Sequence, residues 1–220
     1  MDWLAIWLSV RLSFWTMLIL LFISLPVAFW LVFSKWRFKF LVEAVVALPI
    51  VLPPTVLGFY ILVAIGPRSP IGRLYREVTG QTLPFSFRGL LIASVLYSLP
   101  FAVQPIASAF KSMDRRLIEA SWCLGVSRFG TFVRLIVPLS VPGIVTGMVL
   151  SFAHTLGEFG VVLMVGGNLP GITRTVSISI YDEVQAVNYG AAGETSLILL
   201  GISFAVLAVT YGLQKRVAVL

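Results

Sequence analysis

Long apolar runs that contain no Asp, Glu, Lys or Arg are the feature that most restricts how this chain can fold. A helix needs roughly 20 such residues to cross the hydrocarbon core of a bilayer. Charged residues make up only 11% of the chain, against about 25% in a typical soluble domain. Five windows are long enough: Leu12–Ser34, which extends back towards Trp3, then Ala44–Gly66, Gly89–Phe110, Leu135–Gly157 and Thr195–Gln214. The sequence therefore predicts an all-α integral membrane protein of about five transmembrane helices, folded as one domain over residues 1–220.

Two other segments are too short to span. The apolar stretch Phe159–Thr173 is interrupted by glycines and a proline, so we interpret it as non-spanning or re-entrant. Val176–Val187 is predicted to form a short helix, and the two segments together can plug or frame the outer mouth of the bundle. A third short helix is predicted to be capped by Ser69, to begin at Pro70 and to end at Gly80.

The placement of Lys and Arg predicts the orientation. Most of the 16 basic residues lie in the loops after the first and third windows and beyond the last one. The positive-inside rule then places the N-terminus outside and the C-terminus inside. Attraction of these loops to anionic lipid accounts for the net charge of +7, so no nucleic-acid partner is indicated. Outer arginines Arg73 and Arg76 can attract an anion or dock an acidic partner; the alternative is a solvated surface helix.

Prolines break the predicted spans in characteristic places. The second window contains three prolines within a stretch of six residues: Pro49, Pro53 and Pro54. They cannot all sit in a regular helix. Irregular backbone at membrane depth is tolerated where it is buried in protein or lines a wet cavity. Pro100 and Pro105 predict a second kinked helix, so the two spans together indicate a pathway or a hinge. The alternative is a break at the interface, or a simple kink in a packed helix.

The stretch that follows the third window predicts a rigid knob at the membrane surface. Asp114 can cap a short helix, Arg115–Leu124, and Gly125 can end it in a left-handed turn before Ser127 caps a second helix. Ten residues span only about 15 Å, and this segment is charged, so it is predicted to lie on the surface and to dock a partner. The alternative is a plain amphipathic connector. Cys123, the single cysteine, is interpreted as a small apolar filler.

One pair of ionisable residues lies in the fourth window. His154 and Glu158 share one helical face at i, i+4, but two ligands do not make a zinc site. We therefore predict no metal site and no catalytic residues. Glu158 is interpreted as a structural acceptor or gate residue near the outer mouth, held by backbone amides or an arginine.

Three motifs carry a resemblance to a known family. Glu119-Ala120-Ser121 with Gly125, Ile136 and Pro138-Leu139 resembles the coupling loop of ABC importer membrane subunits, with Ser121 where Ala is usual. Leu48–Tyr60 (LPIVLPPTVLGFY) and Leu156–Gly160 (LGEFG), followed by Gly167–Gly171 and Ile180-Tyr181, are similar to the molybdate ABC transporter permease family. LGEFG also occurs in sulfate permeases. The similarity extends over about residues 12–213.

The resemblance implies a type I ABC importer permease fold in a bacterial plasma (inner) membrane. It implies a homodimer with its pore on the two-fold axis, two cytoplasmic ABC ATPase subunits and an extracytoplasmic molybdate-binding protein. The chain has no phosphate-binding loop of its own, so it is predicted not to be an enzyme, and ATP with Mg²⁺ is expected on the partner ATPase. The coupling loop spans about residues 111–134, and its implied coupling residues are Arg115, Arg116, Glu119, Ala120, Ser121 and Gly125.

The anion route is predicted from polar groups inside the windows. A fixed cation at mid-membrane would trap an oxyanion, whereas hydroxyls, amides and water permit brief passage. Each such group alone is also a common helix-packing element. The pathway or gate candidates are Pro53, Pro54, Thr55, Ser98, Gln104, Ser151, Thr155 and Glu158. The alternatives for function are a sulfate or tungstate importer and, in another class, a passive anion channel or secondary transporter.

Overall fold

The structure is a computed structural model that describes residues 2–217, with side chains placed for residues 2–210 and 212. The described residues form helices and loops and contain no strand. The helices are α1 Trp3–Phe33, α2 Lys39–Val51, α3 Pro54–Ile65, α4 Pro70–Thr79, α5 Phe87–Lys111, α6 Arg115–Cys123, α7 Arg128–Thr131, α8 Val137–Leu139, α9 Val141–Leu156, α10 Gly160–Gly166, α11 Val176–Gln185 and α12 Tyr189–Val217, with a π-helical turn over Phe132–Ile136.

Within the described residues, three helices are long and apolar enough to cross a membrane by themselves, namely α1, α5 and α12. Two bent pairs raise the number of candidate spans to five: α2 with α3, which meet at 115°, and the Arg128–Leu139 segment with α9, which meet at 72°. These five correspond to the five predicted windows. α10, the helix within Phe159–Thr173, has 7 residues and is too short to span.

Proline explains the break between α2 and α3. Leu52 and Pro53 are extended, and Pro54 starts α3, as its fixed φ and missing N–H favour. Pro100 and Pro105, by contrast, lie inside an uninterrupted α5, so the helix is not broken there, and the predicted kink stays a prediction. The second break instead separates α8 from α9 at Ser140.

The core of the bundle is formed by α5 packed between α1 and α9. Small residues recur at every fourth position of α9, which lets the backbones approach closely. A Cβ atom on Gly147 would lie 2.7 Å from the carbonyl oxygen of Ala102, and one on Gly143 would lie 2.4 Å from the Cβ of Ala109. The other two members of the series are Ser151 and Thr155, which are buried.

Two of the apolar clusters mark the opposite ends of the bundle. One joins Leu12 of α1 to Leu90 of α5 and to Ile178 of α11. The other gathers Leu31 and Phe110 from the far ends of α1 and α5, together with residues of α2, α6 and the π-helical turn. The knob therefore lies at the same end as the basic α1–α2 loop, while α10 and α11 lie at the other end. This grouping agrees with the predicted topology.

The outer short helices form much as predicted. Ser69 Oγ accepts from the N–H of Gly72 at 2.9 Å, and Gly80 ends α4 at φ +69°. The guanidinium of Arg88 donates to the phenol oxygen of Tyr75, which lowers the pKa of that tyrosine. α11 ends two residues earlier than predicted, because Val187 takes a left-handed conformation at φ +61°.

Candidate functional site

The knob has the caps that the sequence predicts. Asp114 Oδ1 accepts from the N–H of Arg116 at 2.9 Å, and α6 ends at Cys123, one residue short of the predicted end. Gly125 adopts φ +79°, and its N–H donates to the carbonyl of Trp122 at 2.9 Å. Ser127 Oγ then accepts from the first turn of α7. The left-handed turn and both caps are therefore confirmed.

The knob is fastened to the bundle by one apolar and one polar contact. Ile118 is 5% exposed and packs into the same cluster as Phe110. Ser121 Oγ lies 2.9 Å from Thr131 Oγ1, which itself donates to the carbonyl of Ser127 at 3.1 Å. Because Thr131 has a single hydroxyl proton, Ser121 must donate in this pair. Ser121 therefore links α6 to α7 by a hydrogen bond that an alanine at this position would not make.

The outward face of the knob combines charge with exposed apolar side chains. Leu124 and Phe129 are 83% and 76% exposed, and the guanidinium of Arg128 lies 5.9 Å from the ring centroid of Trp122. Cys123 is also exposed, so its interpretation as an apolar filler was wrong: it lies on the side of α6 that faces away from the bundle. Of the predicted coupling residues, Ser121 is half-buried and the others are exposed: Arg115, Arg116, Glu119, Ala120 and Gly125.

A buried polar cluster joins α5 to α9. Ser98 Oγ lies 2.9 Å from Thr155 Oγ1 and 3.0 Å from His154 Nδ1. Thr155 donates to the carbonyl of Ser151 at 2.9 Å, so Ser98 donates to Thr155 and accepts from the protonated Nδ1 of His154. The imidazole also stacks on Phe101, with ring centroids 3.9 Å apart. Within the described residues, no three His, Cys, Asp or Glu side chains are grouped as metal ligands.

Glu158 lies beside this cluster but outside its hydrogen bonds. Its side chain is 5% exposed, and neither carboxylate oxygen has a donor among the described residues. The hydroxyl of Ser94 is near it but is not in hydrogen-bonding geometry. The prediction that backbone amides or an arginine hold Glu158 was therefore wrong. Two arginines of that end have other partners, since Arg174 pairs with Asp182 at 3.6 Å and Arg88 with Tyr75.

The predicted pathway residues separate into two groups. Ser98, Ser151 and Thr155 are buried within one subunit and hydrogen-bonded between or within helices, as packing hydroxyls are. Apart from the buried Glu158, the remaining polar candidates are exposed: Thr55 at the start of α3 and Gln104 on α5. Pro53 and Pro54 are exposed beside Thr55, at the break between α2 and α3.

Sequence reasoning missed two features that the structure reveals. The four-residue spacing of Gly143, Gly147, Ser151 and Thr155 is visible in the sequence and is a signal of close helix packing. The approach of Glu43 on α2 to Lys111 on α5, 3.9 Å between Oε1 and Nζ, has no such local signal, because it joins residues far apart in the chain.

Comparisons with known proteins agree with this architecture. A family model described as binding-protein-dependent transport system inner membrane component matches residues 20–219. The molybdenum transport system permease protein ModB of Azotobacter vinelandii is 47% identical over 97% of this chain and 95% of its own length. The protein of the same name from Escherichia coli K12 is 36% identical over 94% and 90%. A probable sulfate transport system permease protein of Prototheca wickerhamii is 35% identical over 80% and 69%.

Solved structures of low sequence identity share the fold. A bacterial ABC transporter involved in the import of alginate matches with a TM-score of 0.75 at 17% identity, over 97% of this chain and 78% of that one. The MetNI methionine ABC transporter matches with a TM-score of 0.76 at 15% identity, over 97% and 94%. The fold is thus that of type I ABC importer permeases. With the full-length sequence similarity, it follows that this chain belongs to the family of binding-protein-dependent transport system inner membrane components.

Proposed function

We propose that this chain is the membrane subunit of an ATP-driven importer that carries molybdate into the cell. The observation that carries the proposal is the knob: a capped, glycine-ended helix with an exposed apolar face, fastened to the bundle through Ile118. Such a surface suits docking of a soluble partner. The near-full-length similarity to permeases named for molybdenum transport supports molybdate as the cargo.

The proposed assembly is a homodimer with two cytoplasmic ABC ATPase subunits and an extracytoplasmic molybdate-binding protein. ATP and Mg²⁺ bind to the ATPase subunits, because this chain has no phosphate-binding loop. The orientation follows the prediction from basic residues, with the knob in the cytosol. Exposed apolar side chains along α12, among them Leu197, Leu200 and Phe204, are available to lipid or to a second copy of the chain.

Force from the ATPase reaches the bundle through the contacts of the knob. Ile118 belongs to the same apolar cluster as Phe110 at the end of α5 and Ile136 in the π-helical turn before α9. A displacement of α6 therefore acts on two helices of the core at once. The bends at Pro53 and at Ser140 are the places where the bundle can pivot. In this mechanism closure of the two ATPases draws the two knobs together, and the dimer interface opens outward.

The proposed anion route follows the exposed polar candidates. Even one charge at the centre of a bilayer costs at least about 2.5 kcal/mol, so a dianion needs a continuous polar and hydrated path. Thr55 and Gln104 are placed to contribute to it, whereas the hydrogen bonds of Ser98, Ser151 and Thr155 are already used in packing. Glu158 is proposed as a gate residue, because it is buried and its carboxylate has no donor among the described residues. Burial of an unpaired carboxylate is costly, so a movement of the bundle that brings it a donor or water is favoured.

Sulfate is the second candidate cargo, because a probable sulfate permease is 35% identical. The experiment is uptake of radiolabelled molybdate by proteoliposomes that contain the permease, its ATPase and its binding protein. Uptake should require ATP and should be competed by molybdate more strongly than by sulfate. Stronger competition by sulfate or tungstate would reassign the cargo. Uptake without nucleotide or without the ATPase subunit would refute the importer and would favour a channel or a secondary transporter.

A further inference from the structure

A polar cavity opens at the knob end of the bundle, between α1, α2 and α5. Its volume is about 330 Å³, and Leu31 and Val103 form part of its apolar wall. Its polar groups are Glu43, Gln104, Ser108 and Lys111. It lies apart from the polar cluster of Ser98 and Thr155, which is buried and closed.

Three of these groups form a row of donors along one face of α5. Gln104, Ser108 and Lys111 are spaced at i, i+4 and i+7, which places them on the same side of the helix, and all three are exposed. The row is about 10 Å long at the helical rise and leads from within the predicted span to its cytosolic end. Within the described residues, the Gln104 amide and the Ser108 hydroxyl have no hydrogen-bond partner.

Lys111, at the end of the row, forms only a weak ion pair with Glu43. Lys111 Nζ lies 3.9 Å from Glu43 Oε1, and the two side chains are 60% and 41% exposed. Exposed pairs at such a separation are weak, so the ammonium keeps donors for another anion. Glu43 is then a competitor for Lys111 rather than a fixed partner.

We propose that Gln104, Ser108 and Lys111 form a low-affinity binding site for a tetrahedral oxyanion. The anion occupies this site as it leaves the pathway for the cytosol. The inference rests on the proposed function for its cargo. An amide N–H, a hydroxyl and an ammonium supply the hydrogen bonds that an oxyanion requires, with one of them charge-assisted. The carboxylate of Glu43 limits the residence time, because it repels the anion and recaptures Lys111 when the anion departs.

The test measures equilibrium binding of radiolabelled molybdate to the purified permease–ATPase complex by flow dialysis, without binding protein. Lys111→Gln is expected to weaken binding about five- to tenfold, the effect of losing one screened charge-assisted hydrogen bond. Glu43→Gln is expected to tighten it about two- to fivefold, since the competing charge is removed. Lys35→Gln is the matched control: it removes one positive charge at the same end, from an exposed residue outside the cavity.

Opposite signs for Lys111→Gln and Glu43→Gln, with Lys35→Gln within twofold of wild type, would support the site. Equal weakening of molybdate binding by Lys111→Gln and Lys35→Gln would overturn the proposal, because general electrostatic attraction would then explain the binding. The absence of saturable molybdate binding to the wild-type complex would also overturn it. ATP-dependent uptake by the same complex is measured in parallel. If the complex shows ATP-dependent uptake but the variants bind molybdate with wild-type affinity, the proposed site is refuted and the proposed function stands. If the variants show the expected affinities but uptake does not depend on ATP, the proposed function is refuted and the site stands.

Discussion

Substitution of Gly125 by valine is the sharpest test of the knob as a coupling element. Gly125 has φ +79°, and a Cβ built on it would have no heavy atom within 4 Å. The added Cβ therefore meets no steric obstacle, and the strain that we consider arises from the backbone conformation. A left-handed conformation costs an L-residue about 1–2 kcal/mol, and more for a β-branched side chain. That energy lowers the equilibrium constant for forming the turn by a factor of about 5–30.

The expected result is uncoupling without loss of the fold. If the turn relaxes, α6 no longer has a fixed angle to α7, and motion of the ATPase is not transmitted to Ile118 and the core. The number of ATP molecules hydrolysed per molybdate imported should rise, and the change in the equilibrium constant of the turn sets an upper limit of about 5- to 30-fold on that rise. The assay is simultaneous ATP hydrolysis and radiolabelled molybdate uptake in proteoliposomes. Gly125→Asn should restore most of the coupling, because asparagine tolerates the left-handed region.

The chain offers a matched control at Gly80. That glycine ends α4 at φ +69°, also with no heavy atom within 4 Å of a built Cβ, so Gly80→Val introduces a similar backbone strain at the opposite end of the molecule. It should lower thermal stability by a similar amount and leave the ratio of ATP to molybdate unchanged. Wild-type coupling in Gly125→Val, or equal uncoupling by Gly80→Val, would refute the reasoning.

Three further predictions follow from the knob and the core. Cys123, exposed and the only cysteine, should react with a membrane-impermeant maleimide in inside-out vesicles and not in spheroplasts; the reverse pattern would contradict the orientation. Ser121→Ala should lower stability by about 1 kcal/mol through loss of the hydrogen bond to Thr131, measured as a lower Tm, and an unchanged Tm would show that the bond contributes nothing. Gly147→Ala should push α9 away from α5 and lower the Tm, because its Cβ would lie 2.7 Å from a carbonyl oxygen of α5. Gly201→Ala is the control, because its Cβ would have no heavy atom within 4 Å. Equal Tm values for the two variants would count against this packing.

Features that depend on neighbouring residues were predicted well. The predicted caps at Asp114, Ser127 and Ser69, the end of α4 at Gly80 and the left-handed turn at Gly125 all involve groups within a few residues of each other. Local steric rules decide such features, so a single sequence suffices to identify them.

Features that depend on long-range packing were not predicted. Pro100 and Pro105 stay inside an uninterrupted α5, because neighbouring helices can stabilise a helix that contains proline. Glu158 has no donor among the described residues, and two arginines near that end, Arg174 and Arg88, have other partners. The sequence also did not distinguish hydroxyls that line a route from hydroxyls that only pack helices. That distinction depends on long-range contacts such as the one between Ser98 and Thr155, which are 57 residues apart in the chain.

The amino-acid sequence by itself determined the membrane class, the number of spanning windows, the proline break after Leu52 and the glycine-ended knob, because hydrophobic length, missing N–H groups and left-handed turns are local properties. Only the tertiary structure decided that α9 meets α5 through Gly143 and Gly147, that Ser121 ties the knob together, and that Lys111 faces Glu43 across an open cavity. Each of these requires the relative placement of separate helices, which is set by packing across the whole bundle and not by any one segment.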